Sequence, residues 1–191
     1  MRSDDRMDYR EFSVPASLRG HLECVWALRD DTPDDAVQTI YPDRRCELIA
    51  HFAMPMRRYR SDVRSEVEAP MLFAAQQTGP IRLQARVPVH CLGVRLTAAA
   101  SSLISGRTLA TLRDRIADLQ KFDNAFTVAF ADAARAFADT PASLWSLLEA
   151  RCHEQVIDDI AEIAARMLDE ACGNERIPAL ALAAGISLCG L

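Results

Sequence analysis

Residues 22–28 have the sequence LECVWAL, and this stretch decides the fold class of the N-terminal half of the 191-residue chain. Its apolar residues recur at every second position. This is the period of a β-strand, because successive side chains point to opposite faces. The pattern predicts one strand face that carries Leu22, Cys24, Trp26 and Leu28.

The same alternation returns three times before Thr97. It covers residues 46–52, 81–87 and 94–96, and residues typical of turns, mainly Pro and Asp, separate these segments. Short alternating segments with turn residues between them are typical of antiparallel sandwiches and small barrels. We therefore predict an antiparallel β-barrel or sandwich in the N-terminal half.

The spacing of apolar residues becomes helical after Thr97. Stripes at residues 112–119, 122–137, 144–152 and 156–168 predict amphipathic helices. Thr140-Pro141 predicts a helix start, because Pro is favoured at the first helical position. Two interpretations of the stripes stay open. They pack in the core of this chain, or the stripes at 122–137 and 156–168 pair with their copies in a homodimer.

Residues 177–187 have the spacing of a helix-turn-helix. Pro178 can start a short helix, Ala181 lets a second helix approach closely, and Gly185 takes the tight turn. Ser187 is a suitable N-cap for the second helix, which in such motifs enters the major groove of DNA. An ordinary corner between two helices uses the same residue types, so the spacing alone leaves both interpretations open.

Several segments together resemble one known family. They are Leu180-Ala181 with Gly185, Ser187 and Leu191, Pro15-Ala16-Ser17-Leu18 with Val25-Trp26, Tyr41-Pro42-Asp43 with Glu47-Leu48-Ile49, Leu72-Phe73-Ala74-Ala75-Gln76, and Leu92-Gly93-Val94-Arg95-Leu96. In this combination the chain resembles an AraC/XylS-type transcription regulator, with the sensor domain of one branch of that family followed by the opening of the DNA-binding module. The family usually has Gly after the Pro-Asp pair and Gly before the Gln, where this chain has Arg44 and Ala75.

The resemblance implies an α+β protein with three parts. Residues 1–97 form a cupin-like β-rich sensor domain. Residues 98–155 form the helical part of the regulatory domain and a possible dimer interface. Residues 156–191 begin an AraC-type DNA-binding domain that is truncated, since the family module carries two helix-turn-helix units and this chain holds half of one. The net charge of −5 agrees with DNA binding that occurs only through a full-length parent protein.

The sensor domain suggests a pocket for a small-molecule effector. Candidate ligand-binding residues are Trp26, Tyr41, Glu47, Gln76 and Arg95. Glu47 and Arg95 each lie between apolar neighbours, so they form a buried pair, flank a ligand, or face solvent on the polar side of a strand. Trp26 is a candidate pocket wall or an ordinary core residue.

No cofactor, metal or catalytic residue is expected. The six cysteines form no C-x-x-C pair, and His51, His90, Cys91 and Cys46 are the one conceivable metal set, with poor spacing. Cys46 follows Arg44-Arg45, which leaves a reactive-cysteine sensor open. The sequence shows no secretory signal and no long apolar run, so we expect a cytoplasmic protein that does not contact a membrane.

Two alternatives to a regulator remain at this point. The first is a barrel protein that binds a small ligand or only dimerises, without a sensing role. The second is a small-molecule enzyme, although the sequence carries no nucleophile elbow, phosphate-binding loop or H-E-x-x-H motif. A sensor predicts an enclosed pocket with an inward polar group, whereas a pure dimeriser predicts a filled interior.

Overall fold

A computed structural model describes residues 7–32, 35–85, 88–97 and 109–153, together with Ala100, Met167, Arg176, Pro178, Ala179 and Leu182. The strands are β1 Met7–Ser13, β2 Leu22–Asp30, β3 Gln38–Ile40, β4 Cys46–His51, β5 Arg57–Tyr59, β6 Ser65–Val67, β7 Met71–Ala74, β8 Ile81–Gln84, β9 Val89–Leu96 and β10 Ile116–Asp118. The α-helices are α1 Leu109–Leu112, α2 Asn124–Arg135 and α3 Pro141–His153, and 3-10 turns occupy Ala16–Leu18 and Leu119–Lys121.

The strands form two antiparallel sheets. The larger sheet has the order β1-β2-β9-β4-β7-β10, and the smaller sheet has the order β3-β8-β5-β6. The expected α+β class is confirmed, but the closed barrel is not, because within the described residues the two sheets do not join into one continuous sheet. The strands therefore form the sandwich alternative.

The core lies between the larger sheet and the helices. Leu48, Phe73 and Val94 from the sheet and Phe130 and Leu148 from α2 and α3 are all fully buried in one cluster. The apolar stripes of α2 and α3 are therefore used inside this chain, as amphipathic helices usually are. The stripe at 122–137 therefore does not supply the free dimer face that the sequence left open. Nearly all of the second stripe, residues 156–166 and 168, lies outside the described residues.

Strand β4 shows how the alternation sorts its side chains. Cys46, Leu48 and Ala50 face the helix-side core, whereas Glu47, Ile49 and His51 face the smaller sheet. Both faces were predicted from the period of two. Helix α3 begins at Pro141 as the Thr140-Pro141 pair predicted.

Strand β2 departs from its prediction at one position. Its pairing with β9 shifts register between Leu22 and Cys24, which marks a β-bulge. One extra residue reverses the faces that follow. Leu22 consequently lies in the helix-side core, whereas Cys24, Trp26 and Leu28 lie on the face toward the smaller sheet.

The predicted helical stripe at residues 112–119 is wrong. Leu112 ends the short helix α1, but Ile116 belongs to β10, which pairs antiparallel with β7 at the sheet edge. The chain turns between them at Asp114, which has a φ of 62°. The Asp114 carboxylate accepts hydrogen bonds from the backbone N–H of Thr78 at 2.6 Å and from its hydroxyl at 2.9 Å, which fixes this turn.

Among the helices that the structure describes, none has both the length and the apolar character that crossing a bilayer requires. The predicted helix-turn-helix residues Ala181, Gly185 and Ser187 lie outside the described residues.

Candidate functional site

A cavity of about 370 Å³ lies between the two sheets. Its wall is mostly apolar, with Ile49 and Leu72 from the larger sheet and Ile81 and Leu83 from the smaller one. The polar and charged side chains in the wall are Tyr9, Asp43, Glu47, His51, Glu68 and Arg95. This volume and this mixture of many apolar and few polar groups are typical of small-molecule sites.

Glu47 and Arg95 form an ion pair in the cavity wall. They lie directly opposite each other on β4 and β9, and Arg95 Nε donates to Glu47 Oε1 at 3.0 Å. Their side chains are 18% and 25% exposed, respectively. The sequence left three alternatives open for these residues. The structure shows the ion pair and excludes the alternative in which both side chains face solvent.

Trp26 adds a second donor to the same carboxylate. Its indole Nε1 donates to Glu47 Oε1 at 3.0 Å, across the intervening strand β9. Burial raises the pKa of Glu47 above its ordinary value, while the positive charge of Arg95 and the indole hydrogen bond act in the opposite direction. The carboxylate is thus held by two donors on a wall that is otherwise apolar.

The hydrogen-bonded network continues to the edge of the sheet. Arg95 Nη1 lies 3.6 Å from Glu11 Oε1, and the Tyr9 hydroxyl donates to the same Glu11 oxygen at 2.6 Å. Burial, followed by the hydrogen bond to Glu11, raises the pKa of Tyr9 to about 12. One polar row therefore crosses β1, β2, β9 and β4, which are neighbours in the larger sheet.

A second polar group in the wall consists of His51 and Glu68. His51 Nε2 lies 3.8 Å from Glu68 Oε2, and each side chain is 5% exposed. Burial lowers the pKa of His51 to about 4 and raises the pKa of Glu68 to about 7. Both shifts have the same cause, which is that a buried site disfavours the charged form of either group.

Two of the candidate residues do not reach this cavity. Tyr41 is 75% exposed and lines a neighbouring cavity of about 100 Å³. Gln76 is exposed, and its side-chain amide donates to the carbonyl of Arg44 at 3.2 Å. The structure therefore brings together Trp26, Glu47 and Arg95 and leaves Tyr41 and Gln76 outside the main cavity.

The turn at Arg44 has a left-handed backbone conformation, although the resembling family usually has Gly at this position. Arg44 has a φ of 65°, a left-handed conformation that favours Gly. Asp43 supports the turn by accepting a hydrogen bond from the backbone N–H of Arg45 at 3.0 Å. The chain thus adopts the turn without the glycine that the family usually has there.

The conceivable metal set is not assembled. His51 and Cys91 are cross-strand partners, but Cys46 is buried in the helix-side core, and His90 is exposed and packs against Phe52. No group of three or more metal-ligating side chains forms among the described residues. Burial of Cys46 also removes the basis for the reactive-cysteine alternative, which needs an accessible thiol.

Three site residues were missed at the sequence level. Tyr9 and Glu11 lie on β1, a strand whose residues are all exposed, so no apolar alternation marked it. Glu68 follows the three-residue strand β6 and reaches the cavity only because the smaller sheet covers the larger one. No local signal marks such a residue.

Comparison with known proteins assigns the family. Residues 10–118 match a domain of unknown function, DUF6597. This match covers more than half of the chain, and the protein therefore belongs to the DUF6597 family. No curated protein matches the sequence significantly.

Two solved structures show limited similarity. One is the AraC-like transcriptional activator CuxR, at 12% identity and a TM-score of 0.42, over 95% of this chain and 76% of that chain. The other is Streptomyces albus HEPD with 2-hydroxyethylphosphonate and Fe(II) bound, at 16% identity and a TM-score of 0.34, over 98% of this chain and 43% of that chain. Similarity at this level does not establish a shared function.

Proposed function

We propose that this domain is the effector-binding part of an AraC-type transcription regulator and that the effector occupies the cavity between the sheets. The observation that carries the proposal is the cavity itself, whose apolar wall contains the half-buried pair Glu47 and Arg95 and the buried groups His51 and Glu68. A few fixed polar groups in an apolar wall orient a ligand and select its chemistry.

The family resemblance supports the regulatory role. The segments that carry the resemblance include Trp26, Glu47 and Arg95. These residues lie on β2, β4 and β9, which are neighbouring strands in the larger sheet. The DUF6597 family is associated with AraC-like N-terminal domains. Trp26, Glu47 and Arg95 therefore belong both to the segments that carry the resemblance and to the cavity wall.

The cavity also favours a ligand-binding domain over one that only dimerises. A domain that only dimerises gains nothing from an unfilled interior, since tight packing of that space would stabilise it more. DNA binding, in this proposal, belongs to the full-length parent protein. Homodimer formation remains an expectation that now rests on the stripe at residues 156–168, and sedimentation velocity of the chain tests it.

The proposal is tested by transcription from a reporter gene. A regulator that carries this domain and a complete helix-turn-helix module is screened against small apolar compounds. Leu83→Trp fills the cavity from β8, and Arg82→Trp places the same side chain on the opposite face of that strand as a control. We expect a compound that changes transcription with the parent and with Arg82→Trp but not with Leu83→Trp. An equal response of all three proteins would contradict the proposal.

A further inference from the structure

His51 and Glu68 form a separate polar site in the cavity wall, distinct from the network at Glu47. Their 3.8 Å separation is longer than a direct hydrogen bond. His51 Nε2 has no hydrogen-bond partner among the described residues. Buried polar atoms are rarely left without a partner, so this site has an unfilled hydrogen-bonding capacity.

The charges around Glu68 do not neutralise it. The positive charge of Arg58 in the smaller sheet lowers the pKa of Glu68, but by less than burial raises it. Arg58 is bonded to Glu66 and donates to the carbonyl of Ile116 at 3.5 Å. On the larger sheet, His51 faces Glu68 from β4. Arg95, the arginine that lines the cavity, is half-buried and is paired with Glu47 and Glu11.

Cys91 completes the surroundings of this site. It lies directly opposite His51 on β9, and burial raises the pKa of its thiol to about 12, so it stays neutral at physiological pH. Glu68 is thus a buried carboxyl group that faces a ligand cavity without a cation of its own.

We infer that the ligand is an organic amine whose apolar body fills the cavity and whose ammonium group binds between Glu68 and His51. The inference rests on the proposed function and specifies the chemistry of the ligand. An ammonium group has three donors and no acceptor, which matches a carboxylate and an unpartnered imidazole nitrogen 3.8 Å apart. A carboxylate ligand would instead meet the acidic side chains Asp43, Glu47 and Glu68 in the wall, against Arg95, whose charge is already paired with Glu47.

The titration of the two groups agrees with this assignment. At neutral pH His51 is uncharged, because burial lowers its pKa to about 4, and it can accept a hydrogen bond. Glu68 has a pKa of about 7, so a bound cation would drive its ionisation. Amine binding should therefore release protons and strengthen as the pH rises through 7.

The test compares three probes that share one apolar body: 4-phenylbutylamine, 4-phenylbutanol and 4-phenylbutyrate. Their dissociation constants are measured by titration calorimetry against the wild-type chain, Glu68→Gln and the charge-matched control Asp132→Asn. Asp132 lies on α2, on the other side of the larger sheet. We expect the amine to bind the wild type and Asp132→Asn about tenfold more tightly than the alcohol, with the carboxylate weakest.

Glu68→Gln should remove the advantage of the amine and leave the alcohol within about threefold of its wild-type affinity. If Glu68→Gln does not fold, pH provides the second readout. Amine affinity for the wild type should rise about tenfold between pH 6 and pH 8, while alcohol affinity stays constant.

Alcohol binding without any preference for the amine would overturn the inference and leave the proposed function standing. Tighter binding of the carboxylate, or an amine preference that survives Glu68→Gln, would also overturn it. Failure of all three probes to bind at millimolar concentration would overturn the inference and count against the proposed function as well.

Discussion

The indole ring of Trp26 occupies the space that a side chain on Gly93 would need. The two residues are cross-strand partners on β2 and β9, and a Cβ placed on Gly93 would lie 2.1 Å from Trp26 Cε2. Only glycine permits this approach, and the approach lets the indole cross β9 to donate to Glu47 on β4. The polar wall of the cavity therefore depends on a residue that contributes no side chain to it.

The first prediction concerns this contact. Gly93→Ala should force the indole away, break its hydrogen bond to Glu47 and lower the free energy of unfolding by about 2–3 kcal/mol. Urea denaturation measures the loss. Gly79→Ala is the control, since no atom lies within 4 Å of a Cβ at Gly79, and an equal loss in both variants would contradict the account.

The second prediction concerns the ion pair. Arg95→Met leaves Glu47 buried without its cation and should cost about 2–4 kcal/mol at pH 8. Burial already raises the pKa of Glu47 above its ordinary value of 4.5. As the pH rises, Glu47 therefore releases its proton at a lower pH in the unfolded state than in the folded state. The loss of stability in Arg95→Met should grow as the pH rises above 4.5.

Urea denaturation at pH 5 and pH 8 checks the pH dependence of the Arg95→Met variant. The double variant Glu47→Leu/Arg95→Met removes both charges and should recover most of the stability. A loss in Arg95→Met that is independent of pH would show that Glu47 is not the group responsible.

The third prediction concerns Glu68. Its pKa rises from 4.5 to about 7 on folding, so the folded state keeps a proton that the unfolded state releases between those values. This residue therefore lowers stability as the pH rises from 4.5 to 7. Glu68→Gln should stabilise the chain by about 2–3 kcal/mol at pH 8 and have little effect at pH 4. Thermal unfolding at both pH values checks this, and an absence of any gain at pH 8 would refute it.

The fourth prediction concerns the left-handed turn. A φ of 65° is unfavourable for Arg44 and not for Gly, but Gly loses more conformational entropy on folding. Because these effects oppose each other, Arg44→Gly should change the free energy of unfolding by less than about 1 kcal/mol, in either direction. Arg44→Val places a β-branched residue in the same conformation and should destabilise by more than about 1 kcal/mol. Chemical denaturation of both variants compares them, and equal effects would argue against the turn geometry.

Local alternation was sufficient to predict the faces of β4. Glu47 and Ile49 were separated from Leu48 and Ala50 by the period alone, because successive side chains of a strand point to opposite faces. The same logic placed Arg95 between Val94 and Leu96. The period of two therefore assigns each residue of a regular strand to one of its two faces.

Departures from the prediction arose where long-range contacts decide the structure. The bulge at Leu22 and Cys24 comes from pairing with β9 and leaves no local trace. Residues 112–119 have helical spacing, but Ile116 pairs with Ala74 as an edge strand. Glu68 entered the site only through the packing of one sheet over the other, which no window of sequence contains.

A small apolar molecule should bind between the two sheets. Backbone amide NMR shifts on titration with 4-phenylbutanol test it most directly, with Leu83→Trp as the filled-cavity variant and Arg82→Trp as its control. We expect shifts concentrated on β4, β8 and β9 in the wild type and in Arg82→Trp, and their loss in Leu83→Trp. Shifts that persist unchanged in Leu83→Trp, or that fall on α2 and α3 instead, would contradict it.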